Sequence, residues 1–71
     1  MSEVLYNFLK KNLNKRVLII TKGEFSKSFR YEGIVKSIDK KTVEINDRKV
    51  GDMVISLNDI LNARRARRDW Q

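Results

Sequence analysis

The stretch IDKKT, Ile38 to Thr42, places an aspartate directly before two lysines. A short Asp side chain can accept the backbone amides that follow it and hold a tight loop in one shape. Lys40 and Lys41 then present two cations at a fixed place, which is the chemistry of phosphate contact. Further along, Asn58 carries an amide that both donates and accepts, a pattern suited to a base edge. The end of the chain, ARRARRDWQ, holds Arg64, Arg65, Arg67 and Arg68 before Trp70. Arginine contacts phosphates bidentately and stacks on flat rings, and a tryptophan can stack on an unpaired base. Each feature has a plainer alternative. Lys40 and Lys41 could be solvated turn residues, Asn58 could only cap a turn, and Trp70 could pack on protein.

Reaction chemistry finds little to work with. The chain has no Cys and no His, no Gly-rich phosphate loop and no carboxylate pair on a matched framework, so an enzyme is not expected. Asp47, Asp52 and Asp59 fall in turn-like segments, where Asp is common for backbone reasons. Disulfides are excluded, zinc and haem are not expected, and nothing calls for a cofactor.

With 71 residues the chain is at most one domain, near the lower edge of independent stability. Disulfides and metals being absent, support from partner chains is the remaining device. The stretch MSEVLYNFLKKN is too short and too charged for a signal peptide. No run approaches the ~20 apolar residues of a membrane span, so no membrane partner is expected. The lack of Cys fits a cytoplasmic location.

The net charge of +7 is unevenly spread. Residues 1–35 carry +4, residues 36–60 are balanced, and residues 61–71 carry +3. A basic surface attracts polyanions, nucleic acid first.

The elements that must position these side chains follow from periodicity. Residues 2–13 carry Val4, Leu5, Phe8, Leu9 and Leu13 at helical spacing, with Ser2 as candidate N-cap, Glu3 in the first turn, and Asn14 suited to a left-handed stop. Strands are expected at Arg16–Thr21, Arg30–Asp39, Lys41–Ile45 and Met53–Leu57. Asn58–Arg65 reads either as a tight turn with a fifth strand or as a short helix capped by Asn58. One helix followed by about five short strands predicts a mainly β fold, a small and strongly bent antiparallel barrel. Gly33 inside a strand allows a sharp bend or avoids a clash. The division expected is a helix over 1–14, a barrel over 15–65 and a basic tail over 66–71.

The order helix, strand, turn, GIVKSIDKKTVEI, turn, MVISLNDIL resembles the Sm-like (Lsm) family. Gly33, Val35, Ile38, Asp39, Val43 and Ile45 match the spacing of its first motif. Met53, Val54, Ile55, the Leu57–Asp59 turn and Ile60 match the second loosely. The short turn between motifs, and the opening helix with its FLKKN, look most like the RNA chaperone Hfq and its archaeal relatives. The resemblance covers roughly residues 4–64. It implies an SH3-like barrel whose fourth strand pairs with the fifth strand of the next subunit, closing a homo-oligomeric ring of six subunits, as in Hfq, or seven. It implies single-stranded, U-rich RNA at the inner rim and a role in RNA folding, pairing or turnover.

On that resemblance the rim residues are Asp39, Lys40, Lys41, Thr42, Leu57, Asn58 and Asp59. Lys10, Lys11, Lys15 and Arg16 fall in the region of an outer basic patch, or are simply solvated charges at a helix end. Arg64, Arg65, Arg67 and Arg68 form a second basic patch. The chain also departs from the family. Where Hfq stacks a base on an aromatic, this sequence has Lys41. Where Hfq has a Lys-His pair, it has Leu57 and Asn58. Where other Sm proteins place a base-reading Asn, it has Val43. RNA binding resting on phosphate charge more than on stacking is therefore expected. The alternatives are a small basic DNA-coating barrel of chromatin type and a ring that serves as a protein scaffold.

Overall fold

The computed structural model describes residues 2–23, 25 and 27–66. Arg67, Arg68 and Trp70 lie outside the described residues, as does the side chain of Ser2, on which the N-cap expectation falls. The fold is mainly β. Helix α1 (Ser2–Lys11) is followed by β1 (Arg16–Lys22), β2 (Ser28–Ile38), β3 (Thr42–Asp47), β4 (Gly51–Ser56), a 3-10 turn (Leu57–Asp59) and β5 (Ile60–Arg65). All neighbouring strands are antiparallel, in the order β4-β3-β2-β1-β5. The sheet is not closed: among the described residues β4 pairs only with β3, and β5 only with β1.

Alternation builds the core. In β1 the residues Val17 and Ile19 are fully buried and Thr21 nearly so, while Arg16 and Lys22 are exposed. Val35 from β2, Val43 and Ile45 from β3, Ile55 from β4, Leu57 from the 3-10 turn and Leu9 from α1 complete the cluster. Burying each such side chain stabilises by about 1.5–3 kcal/mol, the main force available to so small a domain. The helix packs against β2 and the 3-10 turn, with Leu5, Tyr6 and Phe8 partly buried around Leu9.

The helix stops two residues before the apolar stripe does. The Asn12 side-chain amide donates to the Phe8 carbonyl at 2.7 Å, and Leu13 bridges to Val35. Asn14 then takes a φ of 67°, the left-handed stop expected of it. Its amide donates to the Val35 carbonyl at 2.8 Å, and the Val35 amide donates to the Lys15 carbonyl at 3.1 Å. The helix exit is thereby sewn onto β2.

Two features of β2 reshape the sheet. A Cβ on Gly33 would collide with the carbonyl oxygen of Asn46 and lie 2.8 Å from the Asp47 Cα. Glycine is therefore required by close approach of the β3 backbone. Between Val35 and Ser37 the register with β3 shifts, leaving Lys36 as an extra residue. A bulge of this kind increases local twist. A second shift, between Ile20 and Thr21 against β5, leaves Leu61 as the extra residue.

Among the described residues no helix is long and apolar enough to cross a membrane.

Candidate nucleic-acid interface

The loop after β2 is held by one carboxylate. Asp39 Oδ1 accepts the Lys41 amide at 2.8 Å, the Thr42 amide at 2.8 Å and the Thr42 hydroxyl at 3.3 Å, while the Asp39 amide donates to the Thr42 carbonyl at 2.9 Å. The Lys41 amide, then the Thr42 amide, lower the Asp39 carboxyl below its ordinary value, with a smaller contribution from the Lys41 charge. These contacts favour the ionised carboxylate, which braces the loop. Lys40 and Lys41 project from that loop, both exposed.

The 3-10 turn lies beside it. Thr42 pairs with Ser56 at the β3–β4 ladder end, and the Leu57 amide donates to the Lys41 carbonyl at 2.9 Å. The Ser56 hydroxyl accepts the Asn58 amide at 3.3 Å and caps the turn. Two segments separated by about fifteen positions thus meet, and Lys40, Lys41, Asn58 and Asp59 are exposed on them, with Thr42 half-buried. The side chain of Leu57 is not part of this surface. It is 3% exposed and belongs to the core, where the apolar strand end and the helix enclose it, so it is not a contact residue of this chain's surface. Val43, where the family places a reading Asn, is fully buried as well.

The other basic residues divide into two places. Lys10, Lys11, Lys15 and Arg16 are exposed at the helix exit and the start of β1, and the Lys10 ammonium sits 5.7 Å from the Tyr6 ring centroid. Arg64 and Arg65 lie at the far end of β5. There they join residues that sequence patterning left unremarked. A groove of about 730 Å³ is lined by Arg30, Arg48, Lys49, Arg64 and Arg65, together with Glu32, Asp47 and Leu18. Arg48 and Lys49 belong to the β3–β4 turn, and no local sequence signal distinguishes them from ordinary turn cations.

Asp47 shapes that groove from within. It is 6% exposed, and Oδ1 accepts the Glu32 amide at 3.0 Å while Oδ2 accepts the Lys49 and Val50 amides at 2.8 and 3.0 Å. Burial acts to raise its carboxyl pKa, but the amides of Lys49, Val50 and Glu32 outweigh it, and the net direction is downward. The turn is thus clamped to β2, and Arg48 adds an ion pair to Glu32 at 3.6 Å.

Fold and site together define a small mainly β protein with one helix and an open five-stranded sheet, carrying cations on a braced loop and in a separate groove. No family model matches the chain, and neither a curated protein nor a solved structure matches it.

Proposed function

We propose that this chain is an RNA-binding subunit of Sm-like, Hfq-like type. It assembles with copies of itself into a ring, a hexamer in preference to a heptamer, and holds single-stranded, U-rich RNA at the inner rim as an RNA chaperone or regulator. The observation that carries this reading is the strand order. It leaves β4 and β5 as the two unpaired edges of the sheet, and these are the strands that Sm-like subunits join to one another. Unpaired edges invite association, and one repeated head-to-tail contact satisfies both edges of every subunit once the ring closes.

The surface chemistry supports the same reading. Val54 on β4 and Leu61 on β5 are each more than 60% exposed. Beside β5 a groove of about 460 Å³ runs between Val4, Leu5 and Phe8 of α1 and Ile60 and Leu61, with Asn58 and Asn62 also in its lining. A neighbour's edge strand would cover these side chains. Six copies would gather about +42 of charge on one particle, with Lys40 and Lys41 of every subunit on equivalent braced loops.

Native mass measurement combined with oligonucleotide titration tests the proposal. A particle of six or seven protomers that prefers oligo-U to duplex DNA, with affinity falling steeply with salt, is expected. Equal affinity for U-rich RNA and duplex DNA by a monomer would move the reading to a DNA-coating barrel. A ring with no affinity for oligo-U would move it to a protein scaffold.

A further inference from the structure

We propose that the tip of the β1–β2 hairpin is a membrane-surface contact, setting Phe25 and Phe29 into the interface of an anionic lipid bilayer with Lys22 and Lys27 against its headgroups. The hairpin outruns the sheet that carries it. Against β2 the β3 ladder ends at Gly33, and against β1 the β5 ladder ends at Thr21. Among the described residues, those within 22–30 therefore have neither β3 nor β5 beside them. The Gly23 amide donates to the Lys27 carbonyl at 2.7 Å and closes the turn.

Both rings stand on this convex tip. Phe25 is 90% exposed, and its φ of 56° lies in the left-handed region, where a bulky side chain is strained. Strain of this kind gathers where a chain meets its ligand. Phe29 pairs with Thr21 and is 50% exposed. A Cβ on Gly23 would lie 2.7 Å from the Phe29 ring, so glycine is what lets that ring rest against the turn. Neither of the two grooves described above takes in either phenylalanine. Cover for these rings has to come from a partner that closes around a projection.

Charge names that partner. Within residues 22–30, Lys22, Lys27 and Arg30 are exposed cations, and Glu24 lies outside the described residues. Asp59 belongs to the hairpin's base, next to the Ile60 that pairs with Thr21. A second copy meeting this tip with its own would set cation against cation, which disfavours it. A base stacked on Phe25 would cover one face of the ring. A bilayer interface surrounds it, takes phenylalanine among its acyl ends, and, when anionic, gains about fivefold in affinity from each cation near it. Such a contact lies on the membrane and needs no helix that crosses it. The tip holds neither β4 nor the free edge of β5, so it stands or falls independently of ring assembly and of RNA binding.

The test is co-sedimentation of the full chain with vesicles of phosphatidylcholine, alone or mixed equally with phosphatidylglycerol. Wild type is expected to bind the anionic vesicles at millimolar lipid and to leave the neutral ones in solution. F25N removes the ring and keeps a residue at ease in the left-handed conformation. It should bind the anionic vesicles on the order of tenfold more weakly, and that loss should persist at high salt. K22Q/K27Q should lose about twenty-fold at low salt, a loss that salt erases. Wild type that stays in solution with anionic vesicles overturns the proposal. So does F25N that sediments with them as wild type does, because charge alone then accounts for the binding. If that same F25N binds oligonucleotide more weakly, the ring is a stacking platform for a base and not a membrane contact.

Discussion

The Leu57 amide donates to the Lys41 carbonyl at 2.9 Å, so the loop after β2 and the turn after β4 form one surface. The position of that carbonyl depends on Asp39, whose single oxygen gathers the Lys41 and Thr42 amides. The variant D39A is expected to keep the fold, because Asp39 is exposed and the core does not involve it. It is also expected to speed hydrogen exchange at Lys41, Thr42 and Leu57 and to weaken oligo-U binding. D39N retains an accepting oxygen and should lie close to wild type. Exchange by NMR alongside anisotropy titration separates the two variants. Unchanged exchange in D39A would show that the carboxylate does not hold the loop.

Gly33 sits where β2 and β3 approach most closely. In G33A the added Cβ meets the Asn46 carbonyl and the Asp47 Cα. These are backbone atoms, and they cannot rotate aside. Overpacking of this kind costs about 2–4 kcal/mol, a large part of the stability of a 71-residue domain. The expected result is a melting temperature lower by on the order of 10–20 °C, or loss of a cooperative transition. Calorimetry on purified G33A decides it.

Asp47 is the stronger of the two carboxylate clamps, being buried and shared by three amides. Its folded pKa is depressed below 3.8. The stabilisation is therefore complete above the ordinary carboxylate range and is lost as pH falls through the folded value. Asp39, depressed in the same direction, adds to this acid-side loss. D47A removes the acceptor and should cost about 2–4 kcal/mol near pH 7, and a smaller amount at a pH below the ordinary carboxylate range, where the advantage of the depressed carboxyl shrinks. Urea titrations of both proteins at the two pH values check the sign. An equal cost at both would mean that ionisation of Asp47 does not matter.

What was legible in the sequence follows from how local each signal is. The β-branched, apolar run RVLIIT marked β1 to within one residue, and Asn14 marked the helix stop, because each is decided by a few neighbouring side chains. The fifth strand stayed undecided between strand and helix for a physical reason. Only Ile60 and Ala63 in ILNARR are half-buried, three positions apart, and the register shift at Leu61 creates that helix-like spacing. Leu57 read as a rim residue from motif order, yet three-dimensional closure of the core claims it. The groove was invisible because Leu18, Arg30, Arg48 and Arg64 are brought together only by pairing of β2, β1 and β5 and by the Asp47 clamp. Closure of the barrel was likewise not a local property, since it needs a β4–β5 pairing that this sheet does not make.

That missing pairing carries the last prediction. Val54 is 63% exposed on β4, a strand with one unpaired edge. In an assembly built by joining β4 to a neighbour's β5, Val54 moves out of water. A lysine there brings a charge to the junction, which is how natural edge strands avoid pairing. Within one protomer the same lysine is solvated and should cost little, because exposed strand positions tolerate polar side chains within about 0.5 kcal/mol. If the wild type forms the proposed ring, V54K is expected to sediment as a folded monomer at micromolar concentration and to lose oligo-U affinity with the multivalency of the rim. Wild type and V54K sedimenting alike, as monomers or as the same oligomer, would show that β4 is not the joining edge.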